Sequence, residues 1–246
     1  MIPILRKLHY YVYLASVVFF FSLLFPFLYI FSRKGKWFLF LNKFRYWLAV
    51  LSSGAAGIVY KYRFQEPIDW SATYILCPNH TSTLDISAAA ALMRGCFAFL
   101  GKDELLDNPV TGLFFKTIDI PLNRDSKMSS FRAFKRAEEY LKNGISLIIF
   151  PEGKIGEDYP PVLQPFKNGP FRLAIEQGIP IIPVTMTNVW KKMWDDGSKH
   201  GSRPGICDIC VHKPIDTTGL TAADADALRE KVYAIIQSEL DKYETG

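Results

Sequence analysis

From Tyr10 to Ser32 the chain runs for 23 residues without a Lys, Arg, Asp or Glu. As a helix rising about 1.5 Å per residue, this run would reach across a hydrocarbon core of about 30 Å. A helix that is apolar all round needs apolar surroundings, so it belongs either to a bilayer or to the core of a soluble domain. Aromatic residues make up 15% of the chain and hydrophobic residues 49%, a load that favours the bilayer. The run is too long for the apolar core of a signal peptide, and no clear small-residue cleavage site follows, so it is expected to stay attached. Pro26 lies inside it and is expected to kink it. A second apolar stretch, Trp37 to Tyr60, is interrupted by Lys43 and Arg45, which leaves 15 uncharged residues from Tyr46 to Tyr60. Fifteen is short for a full crossing. Its small residues, Ser52-Ser53-Gly54-Ala55-Ala56-Gly57, suit close helix packing. Residues 1–62 therefore read as a pair of helices that forms a hairpin or dips into one leaflet. Arg6 and Lys7 precede the first helix and Arg33, Lys34 and Lys36 follow it. With basic residues at both ends the positive-inside rule assigns no clean crossing, which favours the one-leaflet arrangement.

Charge separates the two parts of the chain. Residues 1–70 hold nine Lys or Arg and two Asp or Glu, a net of +7, whereas the rest holds 20 and 22, a net of −2. Basic residues among Trp and Tyr suit an anionic phospholipid surface. Nucleic acid, the competing partner for a basic segment, is set aside because of the long apolar run within it. From residue 63 to 246 strand-like and helix-like patterns alternate. Tyr74–Pro78, Ser146–Phe150 and Ile179–Thr185 read as strands. Residues 129–143, 169–177 and 222–242 read as helices; the first places Phe131, Phe134, Ala137, Tyr140 and Leu141 on one face and stops at Gly144. The alternation predicts an α/β domain, 63–246, with a mainly parallel, mixed sheet flanked by helices. Pro180 and Pro183 cannot donate to a strand ladder, so Ile179–Thr185 is expected at an edge, at a bulge or as the wall of an apolar pocket.

The first strand run ends at Pro78 and is followed by Asn79-His80-Thr81-Ser82-Thr83-Leu84-Asp85. Inside one α-helix, His80 and Asp85 would lie about 140° apart. They meet only if His80 sits on the turn and Asp85 in the first turn of the helix that follows. A carboxylate would then face an imidazole, the arrangement of a general base. Ser82-x-x-Asp85 also fits a helix capping box, and spacing alone does not choose between the two. Phe150-Pro151-Glu152-Gly153-Lys154 breaks sharply out of a buried strand and puts Glu152 at its carboxyl end, where open α/β sheets bind ligands. A solvated Glu-Lys turn is the plainer alternative. Lys102 and Arg124 each follow an apolar run and are candidate phosphate anchors; taken singly they read as surface cations.

Together these stretches resemble the glycerolipid acyltransferase family, which includes the 1-acylglycerol-3-phosphate acyltransferases. His80 with Asp85 matches the family's His-x4-Asp motif. Lys102 through Arg124, with Pro109 and Gly112 between, resembles its second block. Phe150-Pro151-Glu152-Gly153 matches the third and Ile182-Pro183-Val184 the fourth, across about residues 70–190. The resemblance implies transfer of a fatty acyl group from acyl-CoA or acyl carrier protein to the free hydroxyl of a lysophospholipid, with 1-acylglycerol-3-phosphate expected as acceptor and phosphatidic acid as product. His80 would take the hydroxyl proton and Asp85 would hold the ring and steady the imidazolium. Lys102, Arg124 and Lys154 would grip an anionic head group. Glu152 and Gly153 would lie on the acceptor side, and Ile182, Pro183 and Val184 are the acyl-pocket candidates. A free carboxylate repels phosphate, so Glu152 is expected to bind a hydroxyl or orient a cation.

One departure matters. The family commonly continues its third block with Thr-Arg-Ser, and here the chain reads Lys154-Ile155-Gly156. The arginine credited with gripping the acceptor phosphate is replaced by Ile155, with Lys154 as a substitute point charge. A lyso-aminolipid or another lysophospholipid is the alternative acceptor, and a non-catalytic lipid-binding membrane protein of the same fold is the alternative of another class. No metal or cofactor is expected, since a thiolate is an adequate leaving group. Nucleophilic catalysis by Ser82 or a cysteine is the weaker option, and no Gly-x-Ser-x-Gly elbow occurs. Cys207-x-x-Cys210 with His212 faintly resembles a metal site, but residues three apart on a strand face opposite ways and no second Cys pair exists. Cys77 and Cys96 read as core residues in a reducing compartment. The chain is expected at a membrane, on the cytoplasmic face of a bacterial inner membrane. The Pro-rich residues 154–165 are expected over the site, and Trp190–His200 either at the membrane or as a solvated loop.

Overall fold

The structure is a computed structural model that describes residues 2–123 and 125–245. Helix α1 (Ile2–Ser32) contains the uncharged run, with Pro26 inside it. Helix α2 (Phe38–Ala55) packs back along α1. The small residues pack closely only in part: Ser52, Ser53 and Ala56 are buried and the Ser16 hydroxyl donates to the Ser52 carbonyl at 2.7 Å, whereas Gly54, Ala55 and Gly57 are exposed. The second apolar stretch does not stay helical to Tyr60. The chain turns at Gly57 in a left-handed conformation (φ 66°), and Ile58–Phe64 is strand β1. Glycine ends the helix there and the β-branched pair Ile58-Val59 favours extension. The boundary expected between residues 62 and 63 thus falls inside β1.

Six further strands complete one sheet: β2 (Ile75–Pro78), β3 (Phe97–Lys102), β4 (Ile120–Leu122), β5 (Ser146–Ile149), β6 (Ile181–Met186) and β7 (Gly205–Val211). Their order is β1-β7-β6-β2-β5-β3-β4. The five strands from β6 to β4 are parallel; β7 is antiparallel to β6 and parallel to β1. The sheet is therefore mixed. Helices α3 (Leu84–Leu92), α4 (Thr111–Phe115), α5 (Lys127–Lys142), α6 (Gly169–Gln177) and α7 (Ala225–Thr245) flank it. Successive strand residues point to opposite faces, so a strand covered on both sides needs unbroken apolar sequence. Leu76, Ile148 and Ile182 pack into the core that α3 shares, and Ile75, Leu147 and Ile181 into the one that holds α5, α6 and α7.

Two expectations are corrected. Ile179–Thr185 is not an edge, because β6 lies between β2 and β7, and the one irregularity is an extra residue in the facing segment, where Val184 pairs with Val211 but Ile181 with Ile215. Pro183 fits there because its carbonyl, and hence its missing N–H, points toward β7. That carbonyl accepts from His212 N, one residue beyond the end of β7, so the absent donor falls where the ladder already stops. Phe131 is exposed, since the buried stripe of α5 is Ala133, Ala137 and Leu141. Phe131 sits about 120° round the helix from Ala137.

Arg45, which interrupts the second apolar stretch, is buried. It donates from two nitrogens to the two oxygens of Asp119, at 3.1 and 2.9 Å, and its guanidinium packs on the rings of Phe97, Phe99 and Phe114. Burial raises the Asp119 pKa while Arg45 opposes that shift. Asp119 also accepts from Phe99 N, and Asn42 donates to the Phe97 carbonyl. These contacts tie α2 to β3 and to the residue before β4.

Candidate active site

Because β2, β3, β4, β5 and β6 are parallel, the segments that follow them emerge at one edge of the sheet. That edge brings together residues far apart in the chain: His80 after β2, Lys102 at the end of β3 and Glu152 after β5. β2 and β5 are direct neighbours, which puts Glu152 beside the His80 turn. Arg124, after β4, lies outside the described residues.

His80 and Asp85 meet as the spacing requires. Asp85 lies in the first turn of α3, and its Oδ2 is 3.2 Å from His80 Nδ1. The same oxygen accepts from Thr81 N at 2.7 Å and Ser82 N at 2.8 Å, and Ser82 Oγ accepts from Leu84 N. Capping and base support are thus not alternatives, since one carboxylate oxygen serves both. Asp85 is fully buried, whereas the His80 side chain keeps 14% of its surface open. The imidazole stacks on Phe150 at a ring separation of 4.0 Å. With Nδ1 on Asp85, Nε2 is the nitrogen left to meet a substrate.

Glu152 is placed differently from the expectation. Its Oε1 accepts from His80 N at 2.6 Å and its Oε2 from Gln164 N at 2.8 Å, and only 4% of the residue is exposed. With both oxygens on backbone donors, it staples the His80 turn to the loop over residues 154–165 and does not present a free carboxylate to a hydroxyl. Burial pushes its pKa up to about 8 against the pull of those two N–H groups. Gly153 follows with φ 81°, a left-handed turn that lets the chain double back. Lys102 and Lys154 are exposed. Ile182 and Val184 are fully buried in the core of β6, and Pro183 is buried with them, so all three are packed strand residues here.

One functional element was missed in the sequence. Asp195 N donates to the Thr81 carbonyl at 3.0 Å and Thr83 N donates to the Asp195 carbonyl at 2.9 Å. Asp195 adopts φ 53°, unusual for a residue other than glycine. This backbone clamp holds the turn between His80 and Asp85. Asp195-Asp196-Gly197 was the available signal, because Asp tolerates the left-handed region. Trp194 beside it is buried and packs on Tyr159 and His200, so this tryptophan meets protein and not lipid. Tyr159 in turn fastens the Pro-rich loop onto Trp190 and Trp194.

A carboxylate-backed imidazole at the carboxyl edge of a mixed α/β sheet is chemically able to take a proton from a hydroxyl. The chain belongs to the acyltransferase family, whose family model matches residues 59–187. It is 34% identical over 138 residues to the chloroplastic 1-acyl-sn-glycerol-3-phosphate acyltransferase BAT2 of Brassica napus, covering 56% of this chain and 39% of that protein. To the 1-acyl-sn-glycerol-3-phosphate acyltransferase of Haemophilus influenzae it is 28% identical over 199 residues, 76% of this chain and 79% of that one. The crystal structure of the 1-acyl-sn-glycerophosphate acyltransferase PlsC from Thermotoga maritima superposes with a TM-score of 0.77 at 22% identity, across 98% of both chains. That superposition confirms the fold. The chain spans well under half the length of the Brassica relative.

Proposed function

We propose that this protein transfers a fatty acyl group from an acyl thioester to the free hydroxyl of 1-acylglycerol-3-phosphate, giving phosphatidic acid. The observation that supports it best is the 3.2 Å contact between His80 Nδ1 and Asp85 Oδ2, with the ring still partly open. His80 Nε2 takes the proton of the acceptor hydroxyl as its oxygen attacks the thioester carbonyl carbon. Asp85 keeps Nδ1 protonated and stabilises the imidazolium. The tetrahedral intermediate collapses with loss of the thiolate of coenzyme A or acyl carrier protein, which takes up a proton from the imidazolium. No step needs a metal. The names of the relatives support the acceptor.

The acceptor lies in a bilayer, and α1 is suited to meet one. It is long and apolar enough to cross a membrane, yet it is anchored along its length. Ser202 N donates to the Arg6 carbonyl, Ser16 bonds to α2, and Phe21 packs on Phe114. Its other side leaves Leu8, Val12, Phe19, Leu23 and Ile30 exposed. A helix fastened lengthwise to the domain favours burial in one leaflet over a crossing. Four free cysteines suit a reducing, cytoplasmic side.

One observation favours a second acceptor class: Ile155 stands where the family commonly has an arginine, and Lys154 beside it is exposed. Labelled acyl thioester offered with a panel of lysolipids, with products identified by mass, separates the two. Phosphatidic acid as main product, lost in His80→Ala with membrane association intact, supports the first reading. Exclusive acylation of a neutral or amino lysolipid replaces it with the second, and full turnover by His80→Ala defeats both.

A further inference from the structure

The two thiols of Cys207-x-x-Cys210 face opposite ways, as their spacing on a strand requires. Cys207 is buried in the core that holds Leu76 and Ile182, on the α3 side of the sheet. Cys210 points to the other side, where α7 brings a third group. Cys210 Sγ, a His212 ring nitrogen and a Glu239 carboxylate oxygen all lie within 4.8 Å of one another, and all three residues are buried. We propose that Cys210, His212 and Glu239 form a binding site for a thiophilic divalent cation of the zinc class.

Four features support it. First, Cys210 Sγ and His212 Nδ1 are 3.9 Å apart. Bonds of about 2.3 Å to sulfur and about 2.0 Å to nitrogen put tetrahedral S and N ligands about 3.5 Å apart, so this pair closes on an ion with a shift of a few tenths of an ångström, while the Glu239 carboxylate, within 4.8 Å of both, closes by a side-chain movement of up to about 1 Å. Second, His212 Nε2 is 2.7 Å from Thr185 Oγ1, across the ladder from Cys210. When Nε2 donates to that hydroxyl, Nδ1 turns its lone pair toward Cys210 and Glu239, the outer hydrogen bond that orients metal-binding histidines. Third, one thiolate, one carboxylate and one neutral imidazole cancel a charge of +2, so the filled site carries no net charge into the interior. Fourth, the ligands come from the end of β7 and from α7, so the ion would pin the last helix to the sheet.

The cations facing the cluster are Arg63 and Lys242. Arg63 forms an ion pair with Glu239, and 61% of the Arg63 side chain is exposed. It can therefore swing into solvent when an ion takes the carboxylate. Binding exchanges the Cys210 S–H bond for a sulfur–metal bond and releases one proton to water.

The test uses the full untagged chain in detergent, stripped with a chelator and titrated with Co2+, which reports a thiolate ligand through a near-ultraviolet charge-transfer band. One equivalent should bind and be displaced by Zn2+. Cys210→Ser should abolish the band and Cys207→Ser should leave it. Glu239→Gln should weaken binding at least tenfold, and Arg63→Ala should tighten it. Circular dichroism checks that each variant is folded. No band in folded wild-type protein, or a band that survives Cys210→Ser, overturns the proposal.

Discussion

Replacing Asp85 by asparagine separates what this side chain holds in place from what its charge does. Oδ2 accepts from two backbone N–H groups and faces His80 Nδ1, while Oδ1 is buried without a hydrogen-bond partner among the described residues. The amide oxygen of the substituted side chain can keep both backbone bonds, with the amide nitrogen in the place of Oδ1, so the turn should persist at a cost of about 1–2 kcal/mol. What disappears is the attraction between carboxylate and imidazolium. At 3.2 Å and an effective dielectric of about 20, that attraction is about 5 kcal/mol. It develops only as the ring takes a proton, so it lowers the barrier and not the ground state. Five kcal/mol corresponds to a fall in kcat of between 10³- and 10⁴-fold, on the order of one decade per 1.4 kcal/mol. The assay follows thiol release from an acyl thioester with 1-acylglycerol-3-phosphate, alongside a thermal melt. Asp85→Ala should instead strand two buried N–H groups and lose about 2–6 kcal/mol of stability. A folded Asp85→Asn protein within tenfold of wild-type kcat would refute the base assignment.

Other outcomes follow from the same contacts. Glu152 is pushed up to about 8 from its ordinary 4.5. Between those values the native state keeps a proton that the unfolded chain has lost, so this group's contribution to stability is complete below about 4.5 and fades as pH rises toward 8. Glu152→Gln should flatten that part of a stability–pH profile; an unchanged slope would show that Glu152 does not hold its proton. The same variant sets an amide N–H against one of two backbone donors and should lower kcat by disturbing the His80 turn, with little change in KM for the acceptor. Arg45→Met leaves Asp119 buried without its partner and should cost about 3–5 kcal/mol, on the order of 10 °C in Tm. Arg45→Met with Asp119→Asn should recover much of that loss, and a double variant as unstable as the single one would contradict the pairing. Asp195→Gly keeps the left-handed backbone and should be tolerated. Asp195→Val strains it by about 1–2 kcal/mol and should slow turnover, measurable as kcat in a protein that still melts cooperatively.

Much of this protein was legible along the chain. The apolar runs at Ile75–Pro78 and Ser146–Ile149 became interior strands because only unbroken apolar sequence survives between two covered faces. Gly169–Gln177 was readable to the residue, with Pro170 at its first turn and Gly178 closing it at φ 62°. His80 and Asp85 could be paired because five residues span one strand-to-helix turn and little else. These signals are local, and neighbours in sequence settle them. The Arg45–Asp119 pair, the Glu152 staple on His80 N and the Asp195 clamp span 74, 72 and more than 100 residues. Nothing within a dozen residues of Arg45 tells a surface cation from a buried one; that depends on whether Asp119 arrives with three aromatic rings beside it. The place of β6 follows the same logic, since Pro183 argues for an edge until β7 is known to end where the missing donor points. Sequence determined which segments could be strands, helices and the turn bearing the imidazole. Tertiary structure decided which buried polar groups found partners, because desolvation is settled only by what the rest of the chain brings to each site.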